Sequence, residues 1–219
     1  MGTTRTTPPE ANLDIQYSEA MAYPTPHTYY STGNGPLGRD DPYLAWLRYM
    51  LDDADLPRTI STSYANYEKS VPRRHARAVC NLFALLRARG VSVLFATGDW
   101  GVGQGKCKTA NENVRFMPTF PRPVCVTSFS LPADTGRSPR CHPFAGPYLT
   151  SVGGTTGHDT EVAADLSGGG FSDYSLRPKY QDEAVSTFFE NLGNTYNGFY
   201  KCVCFRDPSD FYNIKSQRI

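Results

Sequence analysis

The chain has 219 residues, and its 22 basic and 21 acidic side chains give a formal net charge of +1. This length suits one substantial hydrophobic core, or one domain of a longer protein. The sequence contains no basic run, no acidic tail and no apolar window approaching the roughly 18 residues of a membrane span, which argues against a nucleic-acid-binding or membrane-spanning chain. The 14 tyrosines and 12 phenylalanines favour a folded protein over a disordered one.

The cysteine and histidine patterns argue against a metal site but leave the redox compartment open. No Cys-x-x-Cys pair occurs, so a zinc ribbon is not expected, and the four histidines show no metal-ligand spacing. The number of cysteines fits either the disulfides of a secreted protein or free thiols. The N-terminus lacks the apolar core of a signal peptide. The cysteines are Cys80, Cys107, Cys125, Cys141, Cys202 and Cys204.

The chain begins with a predicted disordered lead-in over residues 1–9, which is rich in Thr and Pro. A helix is predicted to follow, because proline and acidic residues suit a first helical turn. On this helix Glu10 and Asp14 lie at i and i+4, on one face. Two like charges so placed fit either a solvated surface or a site that uses two neighbouring carboxylates. The pattern then predicts a strand over 28–31.

A second helix is predicted from Pro42, with Leu44, Leu47 and Leu51 as its core-facing stripe. A helix between two strands is the clearest prediction further along the chain. The first strand covers 59–64, and the helix covers 72–89.

For the 72–89 helix, Ser70 is a candidate N-terminal cap and Gly90 a C-terminal stop. The run that begins at Val91 is short, apolar and rich in β-branched residues, as is typical of a buried strand in a parallel sheet. Strand, helix and strand in this order predict a crossover connection and a parallel sheet.

Asp99 directly follows this buried strand, next to Gly98. In open α/β sheets ligands bind at the carboxyl ends of the strands, so Asp99 is either a functional acid or a turn residue that caps its own backbone. A further strand is predicted over 148–152 and a last helix over 179–192. The glycine-rich segment 167–170 exposes backbone groups that could pair with an extended chain, or it forms a flexible turn.

Several of these segments, in this order, resemble the sedolisins, in particular fungal tripeptidyl peptidases. Sedolisins are serine-carboxyl peptidases, and the resemblance implies an α/β fold with a subtilisin-like parallel sheet and helices on both faces, incomplete at its N- and C-terminal ends. The resembling segments are Glu10-Ala11-Asn12-Leu13-Asp14, Ser63-Tyr64, Gly98-Asp99, Gly101-Val102-Gly103, Phe116-Met117-Pro118-Thr119-Phe120-Pro121, Thr150-Ser151-Val152-Gly153-Gly154-Thr155 and Ser167-Gly168-Gly169-Gly170-Phe171-Ser172.

The resemblance implies a catalytic role for three carboxyl groups. In the family a glutamate takes the proton of the serine nucleophile, and an aspartate one helical turn away orients that glutamate. The matching positions are Glu10 and Asp14. Asp99 matches the aspartate that lines the oxyanion hole, where only a protonated carboxyl can donate a hydrogen bond. Cleavage of peptides at acidic pH is therefore expected.

The resemblance also implies how a substrate is held and where the protein acts. Extended peptides would pair with backbone at the strand ends, as in strand addition. Peptide or protein substrates, no nucleic-acid partner, a monomer, an extracellular location and the family's calcium ion are implied, although the calcium ligands are absent from this chain. The expected substrate-binding residues are Ser63, Tyr64, Gly98, Ser167, Gly168, Gly169 and Gly170.

The sequence departs from the family pattern in ways that leave a second function open. The resemblance covers 10–200 as a partial catalytic domain with an insertion at about 122–146, followed by a non-family tail over 201–219. We hypothesise that translated intron sequence explains the insertion and the tail. No Gly-Thr-Ser segment, which carries the family nucleophile, occurs, and Trp100 stands where the family has a serine. The alternative is a catalytically inactive fragment or pseudoenzyme that at most binds peptides.

Overall fold

The architecture is taken from a computed structural model, which describes part of the chain. The chain divides into two compact units, which comprise residues 1–54 and 55–219. The predicted insertion and the predicted tail lie outside the described residues. The described residues are 9–32, 42–102, 116, 118–121, 148–172, 174–175, 179–195 and 200.

The first unit contains two helices, α1 (Pro9–Ala22) and α2 (Tyr43–Asp52). α1 begins at Pro9, inside the predicted lead-in, and none of its side chains is buried. The strand predicted over 28–31 is wrong, since these residues have no regular secondary structure. A short polar and aromatic run does not form a strand unless a neighbouring strand supplies its hydrogen bonds.

The buried face of α2 differs from the predicted leucine stripe. Only Leu47 of that stripe is fully buried, whereas Leu44 and Leu51 are half-buried. The two large aromatic side chains lie on the buried face and meet edge to face, with ring centroids 6.5 Å apart. Aromatic rings bury more apolar area than leucine side chains, so their burial determines which face of α2 packs inward. The buried residues are Tyr43, Trp46, Leu47 and Met50.

The second unit contains the sheet that carries the candidate site. Its helices and strands in chain order are β1 (Thr59–Thr62), β2 (Asn66–Tyr67), α3 (Arg73–Ala88), β3 (Ser92–Ala96), β4 (Thr119–Phe120), β5 (Thr150–Val152), β6 (Thr155–Thr156), β7 (Val162–Ala163) and α4 (Asp182–Leu192). The main sheet has the strand order β1-β3-β5 and is parallel throughout. β2 pairs with β4, and β6 with β7, in two small antiparallel sheets.

The order β1-α3-β3 confirms the predicted crossover and an α/β fold with a parallel sheet. Ile60 pairs with Val93 across the two strands. α3 buries one apolar face, and its Phe83 ring meets the ring of Phe95 edge to face at 5.6 Å. Cys80, which is buried on the same face, is disulfide-bonded, while the other five cysteines lie outside the described residues. The buried residues of α3 are Ala76, Val79, Cys80, Phe83 and Leu86.

The end of α3 is fixed by Gly90, as predicted. Gly90 has φ +87°, and its N–H donates to the Arg87 carbonyl at 2.9 Å, while the Val91 N–H donates to the Leu86 carbonyl at 3.1 Å. This pair of bonds is the Schellman arrangement, which turns the chain directly into β3.

The predicted cap at the start of α3 is wrong. The N-cap position is occupied by Pro72, which offers no side-chain hydrogen bond. The Ser70 hydroxyl instead donates to the Tyr67 carbonyl at 2.8 Å, because Ser70 ends a short 3₁₀ turn over Glu68–Ser70.

We expect Gly90→Ala to lower the free energy of unfolding by about 1 kcal/mol, because the left-handed backbone penalises a Cβ. No atom lies within 4 Å of the added methyl group, so the cost is conformational and not steric. Urea denaturation measures it. Gly90→Asn is the matched variant and should lose less, since asparagine tolerates this conformation. Equal losses for the two variants would contradict this account.

Candidate active site

Three strand ends meet at one edge of the parallel sheet. Because β1, β3 and β5 run in the same direction, the residues that follow them lie side by side. These residues are Ser63 after β1, Thr97 after β3 and Gly153 after β5. Thr97 continues the ladder beyond β3, since its N–H donates to the Val152 carbonyl at 2.9 Å. This is the edge at which open α/β sheets bind ligands.

Asp99 lies in a tight turn just beyond β3. Gly98 has φ +97° and Gly101 has φ +70°, so two left-handed residues flank it. The Gly101 N–H donates to the Leu166 carbonyl at 2.9 Å. This bond joins the turn to the residue that directly precedes Ser167. Asp99 is exposed, and the neighbouring Trp100 is 75% exposed. The carboxyl of Asp99 is therefore accessible to a ligand at this edge.

The glycine segment, defined as Ser167–Gly170, crosses the end of β3. Its first residue forms a hydroxyl–hydroxyl hydrogen bond with Thr97, with Oγ atoms 3.1 Å apart. Gly168 lies so close to the Thr97 backbone that a Cβ added there would overlap with the carbonyl oxygen. A Cβ added at Gly153, after β5, would lie 2.7 Å from the Ser167 Oγ. The absence of side chains at these positions allows the segment to lie directly on the strand ends.

The outer part of this edge is open. Gly169 and Gly170 are exposed, as are Ser63 and Tyr64 at the end of β1, where the Tyr64 side chain is 48% exposed. The parallel register therefore puts Ser63 and Asp99 after neighbouring strands, and the glycine segment contacts the end of β3 through Thr97. Exposed backbone next to a strand end can pair with an extended peptide.

Glu10 and Asp14 lie on α1 in the first unit. Glu10 is exposed and Asp14 is half-buried. Four residues of α-helix rise by about 6 Å, so both carboxylates lie on one face, one turn apart. The predicted helical spacing is confirmed.

Thr97 is a residue of this site that sequence reasoning missed. Its backbone carries the ladder to β5 and accommodates Gly168, and its hydroxyl holds Ser167. The available signal was its position between the last strand residue and Gly98. No group of three or more His, Cys, Asp or Glu side chains in the described part of the chain could hold a metal ion. No helix among the described residues is long and apolar enough to cross a membrane.

Comparison with known proteins finds similar tripeptidyl-peptidases. Tripeptidyl-peptidase SED3 of Arthroderma otae is 39% identical over 205 residues, covering 87% of this chain and 31% of its own length. SED2 of the same organism is 39% identical over 207 residues, with the same coverage. Tripeptidyl-peptidase sed4 of Aspergillus fumigatus is 36% identical over 197 residues, 83% of this chain and 30% of its own length.

The chain thus spans about 31% of the length of the first of these curated relatives. No family model matches the chain.

We expect Gly168→Ala to destabilise the second unit by about 2 kcal/mol or more, since backbone must shift to relieve the overlap with Thr97. The neighbouring Gly169→Ala is the matched control, because the closest atom to its added Cβ is Val102 Cγ2 at 3.6 Å, an ordinary contact. Urea denaturation of both variants measures the difference. A loss at Gly169 as large as that at Gly168 would show that the close approach to Thr97 is not the cause.

Proposed function

We propose that this chain, which belongs to the sedolisin family, is part of a serine-type peptidase that cleaves peptides at acidic pH in the manner of a tripeptidyl-peptidase. The observation that carries the proposal is the position of Asp99 beside the glycine segment at the carboxyl edge of the parallel sheet. Relatives named tripeptidyl-peptidases support it. A subtilisin-like sheet with helices on both faces is part of the same proposal, as is the catalytic-domain assignment of 10–200.

The proposed mechanism begins with proton transfer to Glu10. Its carboxylate would take the proton of a serine hydroxyl as that oxygen attacks the peptide carbonyl, and would then return the proton to the leaving amine. Asp14, one helical turn away, would orient Glu10 by sharing a proton with it. The serine would come from a part of the parent protein outside this chain.

Asp99 would act on the oxyanion that forms on the substrate carbonyl. A protonated carboxyl donates a hydrogen bond to that oxygen, whereas a carboxylate repels it. The substrate backbone would pair with the glycine segment on one side and with Ser63 and Tyr64 on the other. The described residues offer no metal ligand group, and no step of this mechanism uses calcium.

We further propose an extracellular location for the parent protein. The disulfide of Cys80 supports it, since disulfides persist in oxidising compartments.

A second candidate function is peptide binding without cleavage. The observation that favours it is the absence of a Gly-Thr-Ser segment from the 219 residues. Without a nucleophile, carboxyl groups cannot carry out acyl transfer by this route. Sequencing the transcript across residues 121–147 and beyond residue 200 separates the two candidates, because only the peptidase requires a continuation that encodes this motif.

In the product of such a transcript, we expect Glu10→Gln to lower kcat by roughly 10²–10⁴-fold, because an amide cannot accept the serine proton. The assay is hydrolysis of an unblocked tripeptide linked to a fluorophore. Glu19→Gln is the matched control, since it removes the same charge from an exposed position of the same helix. It should leave kcat unchanged.

Two results would count against the peptidase. One is a transcript identical to the printed chain, which leaves peptide binding as the remaining candidate. The other is an equal loss of kcat in Glu10→Gln and Glu19→Gln, which would remove Glu10 from the mechanism.

In the Asp99→Asn variant, kcat should decrease less as the pH rises from acidic to neutral, because an amide donates a hydrogen bond at every pH. Asp99→Ala, which removes the donor, should lower kcat at all pH values by roughly 10²–10³-fold. The measurement is a pH profile of kcat with the same substrate. Asp159→Asn, at a side chain 93% exposed, is the control. A profile that shifts equally in both amide variants would show that Asp99 does not contact the oxyanion.

A further inference from the structure

We propose that Glu68 is a positioning residue that holds the two substrate-binding segments of the site in one fixed arrangement, and that it acts through Ser172. This inference rests on the proposed peptide-binding function. Glu68 is not among the residues that the family resemblance assigns to the site. Glu68 lies four residues after Tyr64, and Ser172 lies two residues after Gly170, the last residue of the glycine segment.

Glu68 is fully buried, with 0% of its surface exposed. A buried carboxyl is costly unless its oxygens are hydrogen-bonded. Its Oε2 accepts a hydrogen bond from the Ser172 Oγ at 2.8 Å, and Ser172 is itself 7% exposed. The bond joins parts of the chain that are 104 residues apart. A bond of this kind, shielded from water, is a strong constraint on both segments.

Ser172 uses its full hydrogen-bonding capacity in this arrangement. A hydroxyl has one proton to donate and two lone pairs. The N–H groups of Tyr174 and Ser175 both donate to the Ser172 Oγ, each at 2.9 Å. With both lone pairs occupied, the hydroxyl proton is directed to Glu68. The acceptor at position 68 therefore fixes the turn that follows the glycine segment.

Glu68 is in turn held by its own backbone. Its N–H donates to the Pro118 carbonyl at 3.0 Å, next to the pairing of β2 with β4. Two more contacts join the same part of the chain to the turn. The Tyr174 hydroxyl donates to the Val71 carbonyl at 2.9 Å, and the Arg73 guanidinium lies 4.5 Å from the centre of the Tyr174 ring.

The glycine segment is consequently held at both ends. Its first end is fixed on Thr97 through Ser167 and Gly168. Two residues beyond its second end, Ser172 is held by Glu68, which belongs to the stretch that carries Ser63 and Tyr64. Glu68 thus sets the distance between the two backbones that a peptide would pair with, without touching the peptide itself.

The test compares Glu68→Ala, Glu68→Gln and Ser172→Ala in the full 219-residue chain. We expect Glu68→Ala to speed amide hydrogen exchange at Tyr174 and Ser175 roughly tenfold or more, because Ser172 loses its acceptor. The dissociation constant for penta-alanine at pH 4 should rise by a similar factor. Glu68→Gln keeps an acceptor oxygen and should restore most of both properties.

Two controls make the test specific. The double variant of Glu68→Ala and Ser172→Ala should resemble either single variant, because both disrupt the same interaction. Val79→Ala, at a fully buried position of α3, should destabilise the fold without a selective change at Tyr174 and Ser175 or in the affinity for penta-alanine.

Additive effects of the two single variants, or a Glu68→Ala chain whose Tyr174 and Ser175 amides exchange as in the wild type, would overturn the inference. So would an affinity loss no larger than that of Val79→Ala. A wild-type chain that binds no penta-alanine contradicts the proposed function instead, and the exchange data then still decide whether Glu68 fixes the segment.

Discussion

The parallel pairing of β1, β3 and β5 is the constraint on which the candidate site depends. Parallel strands place their carboxyl ends at one edge, so the turns that follow β1 and β3 become neighbours although they are far apart in sequence. The pairing is stabilised by the apolar contact between α3 and β3, in which Phe83 meets Phe95. The position of Asp99 is thus a consequence of the apolar packing of α3 on β3.

Two glycines allow close packing of the chain at this edge. Gly168 meets the Thr97 carbonyl at a distance that no side chain would permit, and Gly153 leaves room for Ser167. A surface of N–H and C=O groups recognises the repeating geometry of an extended peptide and not its sequence. Under the proposed function, such a surface would accept many different peptides, and the exposed Tyr64 and Trp100 are among the described side chains that would add preference.

The elements that sequence predicted well are those specified locally. The buried run of β3, the apolar face of α3 and the stop at Gly90 each depend on residues within one or two turns of the chain. The strand predicted over 28–31 failed because a strand needs a partner that no local pattern supplies. In the candidate site, Asp99 was predicted from its position after a strand, whereas the Thr97–Ser167 hydrogen bond joins residues 70 positions apart. Long-range polar contacts leave no periodic signal.

The two anchors of the glycine segment address an entropic problem. Glycine loses more conformational freedom on ordering than any other residue, so a run of three would not keep a single conformation by itself. Any peptide that ordered this run would lose affinity by the free energy of ordering it. The hydroxyl contact at Ser167 and the buried bond at Ser172 restrict the run before a peptide arrives. In the proposed site, the buried bond between Ser172 and Glu68 therefore offsets part of the entropy that a surface without side chains would lose on binding a peptide.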